Sequence, residues 1–186
     1  MIALMTIEPE APDGDLARSA ACGDREAFSA LIERHYDFIF RLAWRLSGNR
    51  ADAEDVAQDV CARLGRAIRT YRAGSAFTTW LYAIVVNAVR DMARRNARDT
   101  AKVQAWVSYA ATSGAAEPEP QEPADVLWAA VRELPPKQRE AVTLVYGEEM
   151  SHADAAELMG CSETTVSWHI HEAKKRLKTI VSAGEV

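Results

Sequence analysis

The sequence is poor in the features that mark secreted, membrane-spanning and catalytic chains. Its three cysteines, Cys22, Cys61 and Cys161, are odd in number and widely spaced, which excludes a disulfide framework and a zinc knuckle and leaves them as reduced thiols. No stretch approaches the roughly 18 uninterrupted apolar residues of a membrane span. The start, Met1 to Asp15, is acidic and carries Pro9 and Pro12 where a secretory leader would open on basic residues. A cytoplasmic location is the expectation. No nucleophile elbow, phosphate loop or paired catalytic carboxylates stand in a fitting context. Cys161, His169 and His171 match no closed zinc pattern, so neither a metal nor a cofactor is expected. Strand-like alternation and internal repeats are also missing, which leaves an all-α chain.

Positive charge is in deficit overall, at −5 net, and that total alone would argue against nucleic acid. The distribution says otherwise. Arg90, Arg94, Arg95, Arg98 and Lys102 crowd one stretch and Lys174, Lys175, Arg176 and Lys178 another, while the acids collect elsewhere.

Apolar residues, at 48% of the chain, recur at helical spacing. From Asp24, a candidate N-cap, they run through Phe28, Leu31, Ile32, Ile39, Leu42, Ala43 and Leu46 until Gly48-Asn49 stops the helix. A second helix, from about Arg50 to Ile68, carries the stripe Ala53, Val56, Ala57, Val60, Leu64 and Ile68. Tyr71 to Ala76 reads as a loop, and Thr78 to about Arg98 as a third helix that becomes cationic towards its end, where positive charge suits the helix dipole. Between about Ser108 and Pro123 the Ala-, Gly-, Glu- and Pro-rich composition predicts a linker. Two helices follow, Asp125 to Glu133 and Pro136 to Tyr146. A third begins at Ser151, and a fourth runs from Glu163 to about Ile180 after the Gly160-Cys161 turn and the Ser162 cap. The expected division is a tail at 1–23, a helical domain at 24–100, a linker at 101–124 and a second helical domain at 125–182.

Helix, glycine turn and helix with a basic tail is the layout of a helix-turn-helix, whose second helix enters the major groove N-terminus first. With Val166, Ile170, Ala173 and Leu177 facing the core, Ser162, Thr164, Thr165, Ser167, Trp168, His169, His171 and Lys175 are expected outside, with Lys174 beside them, offering hydroxyls, imidazoles and cations to bases and phosphates. The plainer reading is an amphipathic helix in a bundle. On the first domain Asn87, Arg90, Arg94 and Arg98 fall on one face at steps of three and four, a polar rail suited to a strand of phosphates and unpaired bases. Thr79 and Trp80, next to the Tyr71 to Ala76 loop, stand where a flipped base could be held, although plain core packing also accounts for a tryptophan. Asp52, Asp55 and Asp59, with Glu54 and Gln58 alongside, make an acidic and amide surface on the second helix that suits a basic partner, although by itself the pattern reads first as an ordinary solvated face.

Leu134-Pro135-Pro136-Lys137-Gln138-Arg139-Glu140, the Ser151 to Gly160 helix and Thr165-Val166 resemble the promoter −35-reading fourth region of extracytoplasmic-function sigma factors. Phe77 to Asp91 resembles that family's −10-reading segment. Ser167-Trp168-His169 departs from the lysine, serine and arginine more common in the family. Two small helical domains joined by a flexible linker are what the resemblance implies: the first opening the −10 element with Arg72, Ser75, Thr79, Trp80, Asn87, Arg90, Arg94, Arg95 and Arg98, the second binding the −35 duplex. It further implies that Asp52, Asp55, Gln58 and Asp59 dock on core RNA polymerase, that promoter DNA is the other partner, and that an anti-sigma factor holds the protein inactive. Catalysis would then belong to the polymerase. The rival is a self-sufficient helix-turn-helix regulator that uses its first domain for dimerisation or signal reception; a mimic that never touches DNA is disfavoured by the two basic patches.

Overall fold

A computed structural model describes residues 11–72, 76–104 and 123–183, all helix and connecting turn. The first domain is built on α2 (Arg25–Ser47), α3 (Arg50–Ala67) and α4 (Phe77–Gln104). Its boundaries follow from local chemistry. The Asp24 carboxylate accepts from the backbone N–H groups of Glu26 and Ala27, at 2.9 and 3.1 Å, and satisfies donors that the first turn leaves unpaired. Gly48 closes α2 at φ 88°, where an L side chain is strained, and Asn49 caps α3 by accepting from the Asp52 N–H at 2.8 Å. Two residues thus reverse the chain, and α2 and α3 pack as an antiparallel pair. Leu31, Ile39 and Leu42 of α2, Val56 and Val60 of α3 and Leu81, Val85 and Val86 of α4 are sealed from solvent. After α3 a single 3₁₀ turn, Ile68–Thr70, leads to the loop before α4.

A further helix, α1 (Asp13–Ala21), lies inside the stretch that the sequence reading left as a tail. It buries only Ala17 and Ala20. Its docking rests on Asp13, which accepts from Arg34 Nη1 at 2.5 Å and lies 2.8 Å from His35 Nε2, both on α2.

The second domain comprises α5 (Pro123–Arg132), α6 (Pro136–Val142), α7 (His152–Met159) and α8 (Glu163–Ala183). Pro136 opens α6 where a missing N–H does no harm. The helical run continues beyond Val142, as expected, but it widens into a π turn over Thr143–Gly147. Ser151 caps α7 by accepting from the Asp154 N–H at 3.1 Å, and its hydroxyl donates to the Asp154 carboxylate at 2.6 Å. Gly160, at φ 64°, turns the chain and Ser162 caps α8.

The two domains are packed together. Buried Ala141, Leu144, Ala155, Met159, Val166 and Ile170 of the second domain form one continuous apolar cluster with the core of the first. A smaller cluster of Val131, Leu134, Val142 and Ala173, with Trp128 and Leu177 against it, fills the far side. None of the described helices is long and apolar enough to cross a membrane.

Candidate nucleic-acid and polymerase interfaces

On α4, Asn87, Arg94, Arg95 and Arg98 are exposed in the arrangement that the helical steps predict. The rail is partly self-paired. Arg94 donates to Asp91 at 2.7 Å and Arg98 Nε to the Arg94 carbonyl at 3.1 Å. Asp91 also accepts from Arg63 at 3.2 Å, and hydrogen bonds from these two guanidinium groups hold its carboxyl below the usual carboxylate range. Arg90 is the member that differs. It is half-buried, and its guanidinium reaches across to the second domain, donating to Glu140 and, at 2.8 Å, to the Leu158 carbonyl.

Arg72 and Thr79 are exposed beside the start of α4, whereas Ser75 lies outside the described residues. Trp80 is half-buried. Its ring packs 5.4 Å from Tyr71 and 5.7 Å from Phe77, in an aromatic cluster that joins the end of α3 to the start of α4. The ring is packed against the core and yet not sealed from solvent.

The acidic helix divides by role. Asp55 and Gln58 are exposed, while Asp52 accepts from the Asn49 side-chain amide at 2.5 Å as part of the cap. Asp59 lies 2.6 Å from Arg63 and 3.6 Å from Arg95, tying α3 to α4. Two of the four residues thus have structural duties of their own.

On α8, Val166, Ile170 and Ala173 are buried and Leu177 is half-buried, as the spacing requires. Ser162, Thr164, Ser167, Trp168, His171, Lys174 and Lys175 are exposed. Thr165 is half-buried, its hydroxyl 2.9 Å from that of Ser162. Ser167 Oγ lies 3.1 Å from His152 Nδ1 of α7, and Lys174 stands 5.2 Å over the Tyr146 ring. His169 departs from expectation: it is half-buried, and its Nδ1 is sealed from solvent with no hydrogen-bond partner among the described residues. The reason is angular. His169 lies three residues after Val166 and four before Ala173, so it borders the core stripe instead of opposing it. Burial, with Lys137 adding to it, pushes its imidazole below the usual value.

A set of residues that sequence reasoning did not single out joins the domains. The Glu148 carboxylate accepts from Arg45 at 2.8 Å and from the Tyr82 hydroxyl at 2.7 Å. Arg45 also donates to the Gly147 carbonyl at 3.1 Å and lies 4.2 Å over the Trp128 ring. Arg139 donates to the carbonyls of Leu46, Ser47 and Leu134, at 3.1, 2.5 and 3.1 Å. Arg132 stands 5.0 Å over Trp44. Between these links a cavity of about 310 Å³ is lined by Leu46, Val86, Val89, Met92 and Pro136, with Arg90 and Glu140 at its wall.

With this geometry in view, residues 31–99 match the Sigma-70 region 2 family and residues 124–177 the Sigma-70 region 4 family. The ECF RNA polymerase sigma factor SigE of Mycolicibacterium smegmatis is 34% identical over 182 residues, covering 92% of this chain and 69% of the relative. SigM of Mycobacterium tuberculosis is 34% identical over 173 residues, covering 92% and 86%. Among solved structures, CnrH in complex with the cytosolic domain of CnrY aligns with TM-score 0.63 at 26% identity, covering 92% of this chain and 97% of that one. The sigma factor RpoE, in complex with the anti-sigma factor NepR from Bartonella quintana, shares the fold with TM-score 0.69 at 22% identity, covering 84% and 98%. The fold and both regions, in this order, define a transcription initiation factor of the sigma-70 class. The chain belongs to its extracytoplasmic-function branch, the alternative sigma factors.

Proposed function

We propose that this alternative sigma factor divides its work between residues 24–100, which bind core RNA polymerase and the opened −10 element, and residues 125–182, which bind the −35 element as duplex. The observation that carries this reading is the pairing of an exposed cationic face on α4 with an exposed polar face on the first two turns of α8. Arg94, Arg95 and Arg98, with Asn87, would follow the phosphates of the melted strand. Arg72, Ser75, Thr79 and Trp80 would frame a displaced base. On α8, Ser162, Thr164, Thr165, Ser167, Trp168 and His171 are the groove-facing set, with Lys174 and Lys175 on phosphates. His169 acts from behind, as packing. The chain between Gln104 and Pro123 joins the domains, so that two weak DNA contacts add when the polymerase fixes their spacing. The protein has no catalysis of its own, works in the cytoplasm and is held inactive by an anti-sigma factor.

The polymerase surface is centred on Asp55 and Gln58, the exposed pair of α3, with Asp52 and Asp59 behind them. The test is co-elution with bacterial core polymerase and run-off transcription by the Asp55→Ala/Gln58→Ala double variant. Because both side chains are exposed on α3, the variant should melt like the parent while its retention by core polymerase falls at least several-fold. Tight, symmetric duplex binding by the parent without polymerase, together with no retention by core, would overturn the reading in favour of the self-sufficient regulator.

A further inference from the structure

Trp168 is the most exposed large apolar side chain among the described residues, at 56%. Scattered surface hydrophobics are ordinary, but the place of this one is not. At 100° per residue the core stripe of Val166, Ile170 and Ala173 puts Trp168 on the opposite side of α8, with Thr164 one turn before it and His171 and Lys175 one and two turns after. The flanking Thr164 and Ser167 are short, so the indole stands above them. Its ring lies 5.0 Å from that of His169, edge to face, and His169 is itself wedged against the core. The indole is therefore supported on one flank and free on the other.

The chemistry around it is equally lopsided. From Glu163 to Ala173 there is no lysine or arginine, so the first turns of α8 cannot make the commonest specific contact, a cation on guanine O6 and N7. Besides the exposed Glu163 carboxylate and His171 imidazole, they offer hydroxyls, which donate and accept alike, and one large apolar surface. The major groove has a single apolar feature, the C5 methyl of thymine. We propose that Trp168 is a specificity-determining residue that packs on a thymine methyl, so that the −35 element of this sigma factor carries an A·T pair under the centre of α8. This inference rests on α8 being the −35-reading helix.

Holoenzyme reconstituted from core polymerase and the full chain should be used to select from promoters with a randomised −35 element. The preferred thymine should then be replaced by deoxyuridine, which removes the methyl and nothing else. The parent should enrich thymine at one position and lose about fourfold in binding on the uracil duplex, the worth of one methyl-sized group withdrawn from an apolar contact. Trp168→Ala, which touches no core and should melt like the parent, should bind both duplexes equally and lose the enrichment. A parent that selects a −35 sequence but ignores the methyl at every position overturns the role of Trp168 alone. A parent that shows no −35 protection or selection overturns the reading of α8, and this inference with it.

Discussion

Replacing Glu148 by alanine should open the molecule. The carboxylate is 7% exposed and accepts from Arg45 at 2.8 Å and Tyr82 at 2.7 Å, and both donors belong to the other domain. Burial, and the hydrogen bond to Glu148, raise the Tyr82 phenol far above its usual range, so it stays a neutral donor at all working pH. A hydrogen bond to a charged group contributes about 1.5–3 kcal/mol. Arg45 keeps the Gly147 carbonyl and the Trp128 ring, and at 22% exposure it can also recover water. The combined loss is therefore nearer the lower figure, about 2 kcal/mol, which shifts a closed-to-open ratio about thirtyfold. Small-angle scattering should show Glu148→Ala with a larger radius of gyration than the parent at equal salt. Glu148→Gln, which retains an acceptor for one donor, should fall between them. Superimposable scattering curves for parent and alanine variant, at low and high salt alike, would refute the idea that these links hold the domains together.

Two further expectations concern stability. His169 is held below its ordinary value of about 6.5, so between its native pKa and that value the unfolded chain binds more protons. Its contribution is complete above about pH 6.5 and is lost as the pH falls below it. Urea titrations from pH 7.5 to 5 should show the parent losing stability over that window and His169→Gln losing less; equal slopes would dismiss the effect. Gly48→Ala should destabilise by about 1–2 kcal/mol through its left-handed backbone alone. The new Cβ would also clash with the Arg139 guanidinium and disturb its bonds to Leu46 and Ser47. In an Arg139→Ala background only the backbone part should remain, and a double-mutant cycle that comes out additive would deny the contact.

The helices with strong local punctuation were legible from residues alone. Asp24, Gly48 and Asn49 marked α2 and α3 because a cap side chain and a left-handed glycine act over three or four residues. Ser151, Gly160 and Ser162 did the same for α7 and α8. What escaped was non-local. α1 buries two alanines and is fastened by Asp13 to residues more than twenty positions away, and no periodicity announces such a fastening. Arg45, Arg139 and Glu148 look in sequence like solvated charges, and their burial depends on how the two domains meet. Glu140 lay within the motif that carried the family resemblance, yet its partner Arg90 is fifty residues distant. The inward turn of His169 was available from the steps to Val166 and Ala173, but a polar residue on a basic helix invites an outward assignment.

Arg90 links the closed arrangement to the proposed DNA contact. Its guanidinium cannot face a phosphate on the −10 strand while it donates to Glu140 and to the Leu158 carbonyl, both in the second domain. Lys137, 3.0 Å from the same carboxylate, partly compensates Glu140 when Arg90 leaves. In the closed form the rail therefore lacks one cation, and on the proposed reading the separated form would be the one competent for both promoter elements. A ligand that binds only the separated form sees its affinity reduced by the fraction of molecules already open. Core polymerase, by holding the domains apart, would remove that reduction. On the proposed reading, promoter affinity would be set jointly by the bases under α4 and α8 and by the ion pairs that must first be broken to expose them.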